Sequence, residues 1–355
     1  MLQSAVSLAL FLGVRAQFTG PEVATINNLR PAIAYIKQAG VTYGAAAFIT
    51  KDGYAITHQL TLGGGATELV TGSGEKLAFV PIHKDTPSQL VLIKTVKAPS
   101  KVETVSWADD SDGGRGMILA VLPTGTVRAE ITSSERIGVD EKSRRAVPMN
   151  EVRIEQTPVA IGGALLFSGK GRLIGSIAAT LAVSQVAPSQ NQGQNQGQNQ
   201  SQSRTGIVAS LNAKSVAPLG PAGLVVGYTP TWEVTKRAMA GFLTPGHKAP
   251  TAMLGVLIVN SLGGVSVQQV DVDSPAAQAG IKVGDVISDI GGKKIRDQID
   301  FARMTYDFQP GDKVAIQIQR GSEKLTVEAT LGAQTTQLAE RRLASIEATL
   351  VPDKY

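Results

Sequence analysis

Residues 44–50 and 54–57 form two short apolar runs separated by Lys51-Asp52-Gly53, and this pairing constrains the chain more than any other feature. An Asp-Gly pair between two such runs closes a β-hairpin, because glycine accepts the positive φ that a tight hairpin turn demands. Residues 31–36 alternate at period two, as a half-buried strand does. Further strand-like runs follow at 68–71, 76–81, 89–94, 117–122, 126–131 and 152–155, with turn residues between them. Residues 21–39 open as a helical or extended lead-in. So many short strands, so few convincing helices and 38 glycines predict a mainly β chain built as a barrel or sandwich.

The 355 residues suffice for two or three domains with real cores. The net charge of +5 is spread over dispersed Lys and Arg, which leaves no nucleic-acid footprint. Cysteine is absent, so disulfides, Cys-ligated zinc and thiol nucleophiles are excluded. No metal site and no cofactor are expected. Residues 5–14 are an apolar run of signal-peptide length, and Val14-x-Ala16 fits a small-residue cleavage rule. Residues 1–16 therefore read as a signal peptide, giving an exported chain, periplasmic or extracellular. No integral membrane span is expected after its removal.

Thr157-Pro158-Val159-Ala160-Ile161-Gly162-Gly163-Ala164-Leu165-Leu166 precedes a turn at Gly169-Lys170-Gly171 and a return run at 173–177. This stretch resembles the nucleophile region of HtrA/Deg-type proteases, which are trypsin-like serine proteases reading Gly-Asn-Ser-Gly-Gly-Pro-Leu there. Residues 44–49, 52–57 and 90–94 resemble other strands of the same family. The resemblance implies a trypsin-like double β-barrel over residues 17–243. It also places the nucleophile at Ile161, the base at Leu60 and the orienting carboxylate at Gln89. None of these side chains can play its part: isoleucine has no lone pair to attack with, and a triad needs three groups in mutual hydrogen-bond reach. Val159 stands where the family has a glycine that shapes the oxyanion hole. His58, two residues early, reads as a surface or loop histidine, Ser168 as a turn residue, and neither His83 nor His247 has a matching serine. Residues 184–204 are a Gln/Asn/Gly repeat with nothing apolar to bury, expected as a disordered loop.

Residues 232–242 carry an apolar helical stripe, and 244–251 form a Pro/Gly linker. Residues 252–332 then resemble a PDZ domain. Met253-Leu254-Gly255-Val256 resembles its carboxylate-binding loop, and the run from Asp273-Ser274-Pro275 through Gly284-Asp285-Val286-Ile287 is its most specific match. The resemblance implies a groove in which an extended peptide adds as a strand. Met253, Leu254, Gly255 and Val256 would bind its terminus, and Phe301 and Met304 on a helix at 299–308 would line the groove. Residues 333–355 form a tail with a helical stripe. The expected partner is a peptide or unfolded-protein ligand, with a homo-oligomer, a trimer in the family, also implied. The reading is a PDZ protein whose protease-like part has lost catalysis. The alternatives are an active endopeptidase with displaced catalytic residues, or a structural subunit assembling with active relatives.

Overall fold

The computed structural model describes residues 18–65, 68–109, 111–112, 116–140, 145–154, 161–182, 208–210, 225–247 and 249–333. The expected signal peptide, the whole Gln/Asn loop, Val159 and nearly all of the C-terminal tail lie outside the described residues. The described residues fall into two compact units. One holds residues up to 134 with 150–205 and 213–232; the other holds 135–149, 206–212 and 233 onward.

A helix, α1 (Gly20–Leu29), leads into β1 (Ile33–Gln38), β2 (Val41–Phe48), β3 (Tyr54–His58), β4 (Glu68–Thr71), β5 (Lys76–Lys84) and β6 (Leu90–Thr95). These six strands close into a barrel in the order β1-β2-β3-β6-β5-β4, which leaves no unpaired edge. The predicted hairpin is β2–β3, with Ala46 opposite Thr57 and Phe48 opposite Ala55. Its turn is held by Lys94 Nζ, 2.6 Å from both the carboxylate and the carbonyl oxygen of Asp52. Period-two alternation sets the core. Leu77 and Phe79 of β5 point inward, where Ile36, Phe48, Leu69, Val91 and Ile93 are buried with them.

The lead-in is α-helical as far as Leu29 and a 3-10 turn over Arg30–Ala32, after which β1 begins. Pro21 lies in the first turn of α1, and the Thr19 N–H donates to Glu22 Oε2 (2.5 Å). Glu22 is buried and takes a bidentate pair from Arg128, Nε to Oε1 at 2.9 Å and Nη2 to Oε2 at 2.7 Å. The Arg128 guanidinium is the main reason the Glu22 carboxyl titrates at about 2, against the opposing effect of burial.

The next strands are β7 (Gly116–Leu122), β8 (Gly125–Asp140), β9 (Arg145–Ile154), β10 (Leu165–Ser168), β11 (Leu173–Ser176), β12 (Ala179–Ala182), β13 (Val208–Ser210) and β14 (Val225–Pro230). They form a second sheet in the order β11-β10-β7-β8-β9-β14-β12, with β13 parallel to β8. β8 and β9 run well past the expected 126–131 and 152–155. The first residues beyond the expected end of β8, Thr132-Ser133-Ser134-Glu135, are polar and carry no apolar alternation to announce a strand.

After α2 (Trp232–Phe242) come β15 (Ala252–Met253), β16 (Val256–Ser261), β17 (Gly264–Val270), α3 (Pro275–Gln278), β18 (Val286–Ile290), β19 (Lys293–Lys294), α4 (Gln298–Asp307), β20 (Lys313–Arg320), β21 (Glu323–Thr330) and β22 (Gly332–Ala333). The main sheet here runs β16-β17-β18-β20-β21, so β16 is an edge strand. Val265, Val267, Ile287, Ile290, Ile316 and Ile318 fill its core. Ser274 Oγ caps α3 by accepting from the Ala277 N–H at 3.2 Å, and Asp297 caps α4 by accepting from Ile299 and Asp300. Asp285 has a side chain only 1% exposed. Burial works against its ionisation, but Arg320 donates Nε to Oδ1 and Nη2 to Oδ2, each at 2.8 Å, and the Lys282 N–H adds a third bond. The balance lowers its pKa. Arg320→Ala would leave that buried carboxylate without its guanidinium and should destabilise this domain, lowering its unfolding midpoint. Urea unfolding at neutral pH followed by a β16–β21 probe checks this, and an unchanged midpoint contradicts it.

Candidate functional site

The Gly162-Gly163 stretch is a turn. The Ala164 N–H donates to the Ile161 carbonyl at 3.0 Å, and Gly163 (φ +82) takes the third position, the place a type II turn reserves for glycine. Its own N–H donates to the Ile177 carbonyl at 2.8 Å. Ile161, at the expected nucleophile position, is 1% exposed. Its Cδ1 lies 3.3 Å from where a Cβ on Gly227 would sit, beside Ile177 at 3.0 and 3.1 Å. The side chain is thus packed among hydrocarbon, over a glycine whose missing side chain makes room for it.

His58 is not the surface or loop residue the sequence suggested. β3 continues through it, paired with Leu90, and the side chain is wholly buried. A Cβ on Gly163 would lie 3.4 Å from its Nδ1, so the ring stands against the Gly-Gly turn. Leu60 follows in a 3-10 segment, Gln59–Gly65, and its N–H donates to His58 Nδ1 at 3.1 Å. Gln89 sits just before β6 in the left-handed region (φ +60), and its carbonyl accepts from Gln59 N–H at 3.0 Å. Its amide nitrogen donates to the Thr86 carbonyl, while Oε1 is buried with no partner among the described residues. Leu60 and Gln89 therefore both adjoin His58 through the backbone, and Ile161 packs on Gly227 and Ile177.

The hydrogen bond from Leu60 fixes the imidazole chemistry. Nδ1 accepts a backbone N–H, so in the neutral ring the proton is on Nε2, which is buried without a partner among the described residues. A triad histidine needs the reverse: a proton on Nδ1 and a bare Nε2 to receive the nucleophile's proton. Burial, with Lys84 contributing, pushes the pKa of His58 down to about 3, so the ring is neutral at physiological pH. Ser168 is buried at the far end of β10, where its Oγ accepts the N–H groups of Lys170 and Arg172 at 3.3 Å each, as a turn residue. His83 lies in β5, and His247 Nδ1 is 2.7 Å from the Phe242 carbonyl oxygen. Among the described residues no group of His, Asp or Glu is arranged to hold a metal ion, and no helix is long and apolar enough to cross a membrane. The burial of His58 had no local signature: Thr57 and Thr61 beside it are polar, and they are tucked in only because Thr57 Oγ1 bonds the Ala45 carbonyl (2.7 Å) and Thr61 Oγ1 the His58 carbonyl (2.6 Å).

The second candidate site is the stretch from Met253 to Val256, all of it buried. Gly255 has φ +85, and a Cβ there would fall 2.3 Å from Ser274 Cβ, so only glycine fits. The Leu254 carbonyl accepts from Ala276 N–H and the Gly255 carbonyl from Asp271 N–H, both at 2.9 Å. In a trans peptide the following N–H points opposite to the carbonyl. The amides of Gly255 and Val256 are thereby aimed away from Ala276 and Asp271. Phe301 and Met304 of α4 share one core with Leu254 and Val256.

Residues 252–331 match the family model of the PDZ domain. A DegP-like periplasmic serine endoprotease of Rhizobium meliloti (strain 1021) is 26% identical over 321 residues, covering 86% of this chain and 56% of the relative. The serine protease HhoB of Synechocystis sp. (strain ATCC 27184 / PCC 6803 / Kazusa) is 29% identical over 290 residues, covering 79% and 64%. This is an HtrA-like chain with a PDZ domain. It spans between about half and two thirds of the length of those two relatives. The solved HtrA-type protease AlgW with a tripeptide superposes with a TM-score of 0.58 at 17% identity, over 88% of this chain and 97% of that one. The trypsin-like fold followed by a PDZ domain is thus the architecture expected from the sequence.

The buried His58 gives this HtrA-like chain a specific acid sensitivity. Its folded pKa lies below the unfolded value of 6.5, so between about pH 6.5 and 3 the unfolded chain binds a proton that the folded chain refuses. Stability should be complete above pH 6.5 and fall by up to about 1.4 kcal/mol per pH unit below it. Between about pH 6.5 and 5, before carboxylates of ordinary pKa contribute, His58→Asn should flatten that slope in urea unfolding. Equal slopes in both proteins would contradict the assignment.

Proposed function

We propose that this chain is an exported binding protein of the HtrA type. It captures peptide C-termini or exposed apolar segments in its PDZ groove, using a protease-like domain (17–243) that does not hydrolyse them. The observation that carries the loss of hydrolysis is the Leu60 N–H on His58 Nδ1, which leaves Nε2 as a donor where a base is required. Ile161 adds to this by placing hydrocarbon where the nucleophile would stand. Capture is supported by the amide of Gly255, aimed away from Ala276, and by the position of β16 at the edge of its sheet. The periplasmic name of the Rhizobium relative supports export, and a trimer is what the resemblance to the HtrA family implies for assembly.

One observation favours the alternative of an active endopeptidase with displaced residues: His58 stands beside the Gly162-Gly163 turn, where a catalytic histidine would be. Two assays separate the readings. Incubation with casein at high protein concentration, together with fluorophosphonate labelling, should give no cleavage and no adduct. An adduct on any serine, abolished by its Ser→Ala variant, overturns the binding-only reading. A peptide with an apolar C-terminal residue should bind as the free acid at least about tenfold better than as its amide, a difference of about 1.4 kcal/mol. Gly255→Val should remove that preference, while equal binding of acid and amide by the unaltered chain contradicts capture.

A further inference from the structure

The open edge of β16 is not vacant. In an antiparallel edge strand, every second residue turns its N–H and C=O away from the neighbouring strand. Ile258 is such a residue: its carbonyl accepts a hydrogen bond at 2.9 Å from Nε2 of Gln298, the first residue of α4. Gln298 is itself held in place, because its backbone N–H donates to Asn260 Oδ1 at 2.8 Å, two residues further along the same edge. Asp297, immediately before it, is fixed as the helix cap. One side chain therefore bridges the helix and the edge strand midway along the groove.

An incoming strand needs that same acceptor. With a peptide C-terminus at Gly255 and Val256 and the peptide running antiparallel to β16, Ile258 faces the third residue from the end, and its carbonyl would take that residue's N–H. We propose that Gln298 is a latch on the groove: its side-chain amide stands in for the ligand's N–H in the resting state, and strand addition requires it to leave Ile258. The proposal rests on the reading of the groove as a peptide site. It makes resting affinity a difference between two hydrogen bonds to one oxygen, so the ligand gains little at that point that the latch did not already supply. Removing the competitor leaves the Ile258 carbonyl for the ligand alone.

The test uses the full chain and two labelled ten-residue peptides with a C-terminal valine. One is unmodified; the other is N-methylated at the third residue from the end, so that it has no N–H to offer Ile258. Gln298→Ala should bind the unmodified peptide about fivefold tighter than the unaltered chain does, the equivalent of one net hydrogen bond. The N-methylated peptide should show no such gain. Gln298→Glu keeps the helix start and the side-chain length but cannot donate, so it should tighten binding in the same sense and carries the test if the alanine variant folds poorly. Unchanged or weaker binding by folded variants, with the free acid still preferred over the amide, overturns the latch and leaves the groove reading intact. If neither the unaltered chain nor the variants prefer the free acid, the groove reading fails and the latch falls with it.

Discussion

Gly163 is the point at which the protease-like part of the chain is most tightly constrained. A Cβ there would lie 3.2 Å from Thr61 Cγ2 and 3.4 Å from His58 Nδ1, on a backbone already at φ +82. The turn can hold its position against β3 only because this residue has no side chain. That close approach brings together what remains of the site: the ring of His58, the hydroxyl-tied Thr57 and Thr61, and the strand that follows the turn. The second glycine is kept for packing, whatever stands in the nucleophile position before it.

The same closeness decides the chemistry. Packed against the turn, His58 loses its water, and burial drives its pKa to about 3. Among the described residues the donor that reaches it is the Leu60 amide, and that bond sets the tautomer. In the PDZ domain the backbone again dominates. Gly255 lets the loop approach Ser274, the carbonyls of Leu254 and Gly255 are tied to Ala276 and Asp271, and the amides are oriented as a consequence. Side chains act there as spacers, as packing, and, in Gln298, as a competitor for the strand edge.

Much of this was legible in the sequence. Asp52-Gly53 announced the first hairpin, and the run from Ser274-Pro275 to Asp285 announced the PDZ domain, because turns and caps are set by a few residues with special backbone or hydrogen-bonding chemistry. What the sequence hid depends on contacts distant in the chain. The Thr132-Ser133-Ser134-Glu135 stretch of β8 is strand without apolar alternation. Counting along the family pattern put the base position at Leu60, whereas the fold brings His58 to the turn, because β3 runs on to pair His58 with Leu90. Arg128 is 106 positions from Glu22, so no local pattern could have joined them.

The most direct test is the protonation state of the His58 ring in the folded chain, read by long-range nitrogen–proton NMR correlation. The account predicts a neutral ring with its proton on Nε2 and a bare Nδ1, unchanged from about pH 8 to 5. A ring with its proton on Nδ1 and a bare Nε2, titrating near neutrality, would contradict it and return His58 to the role of a base.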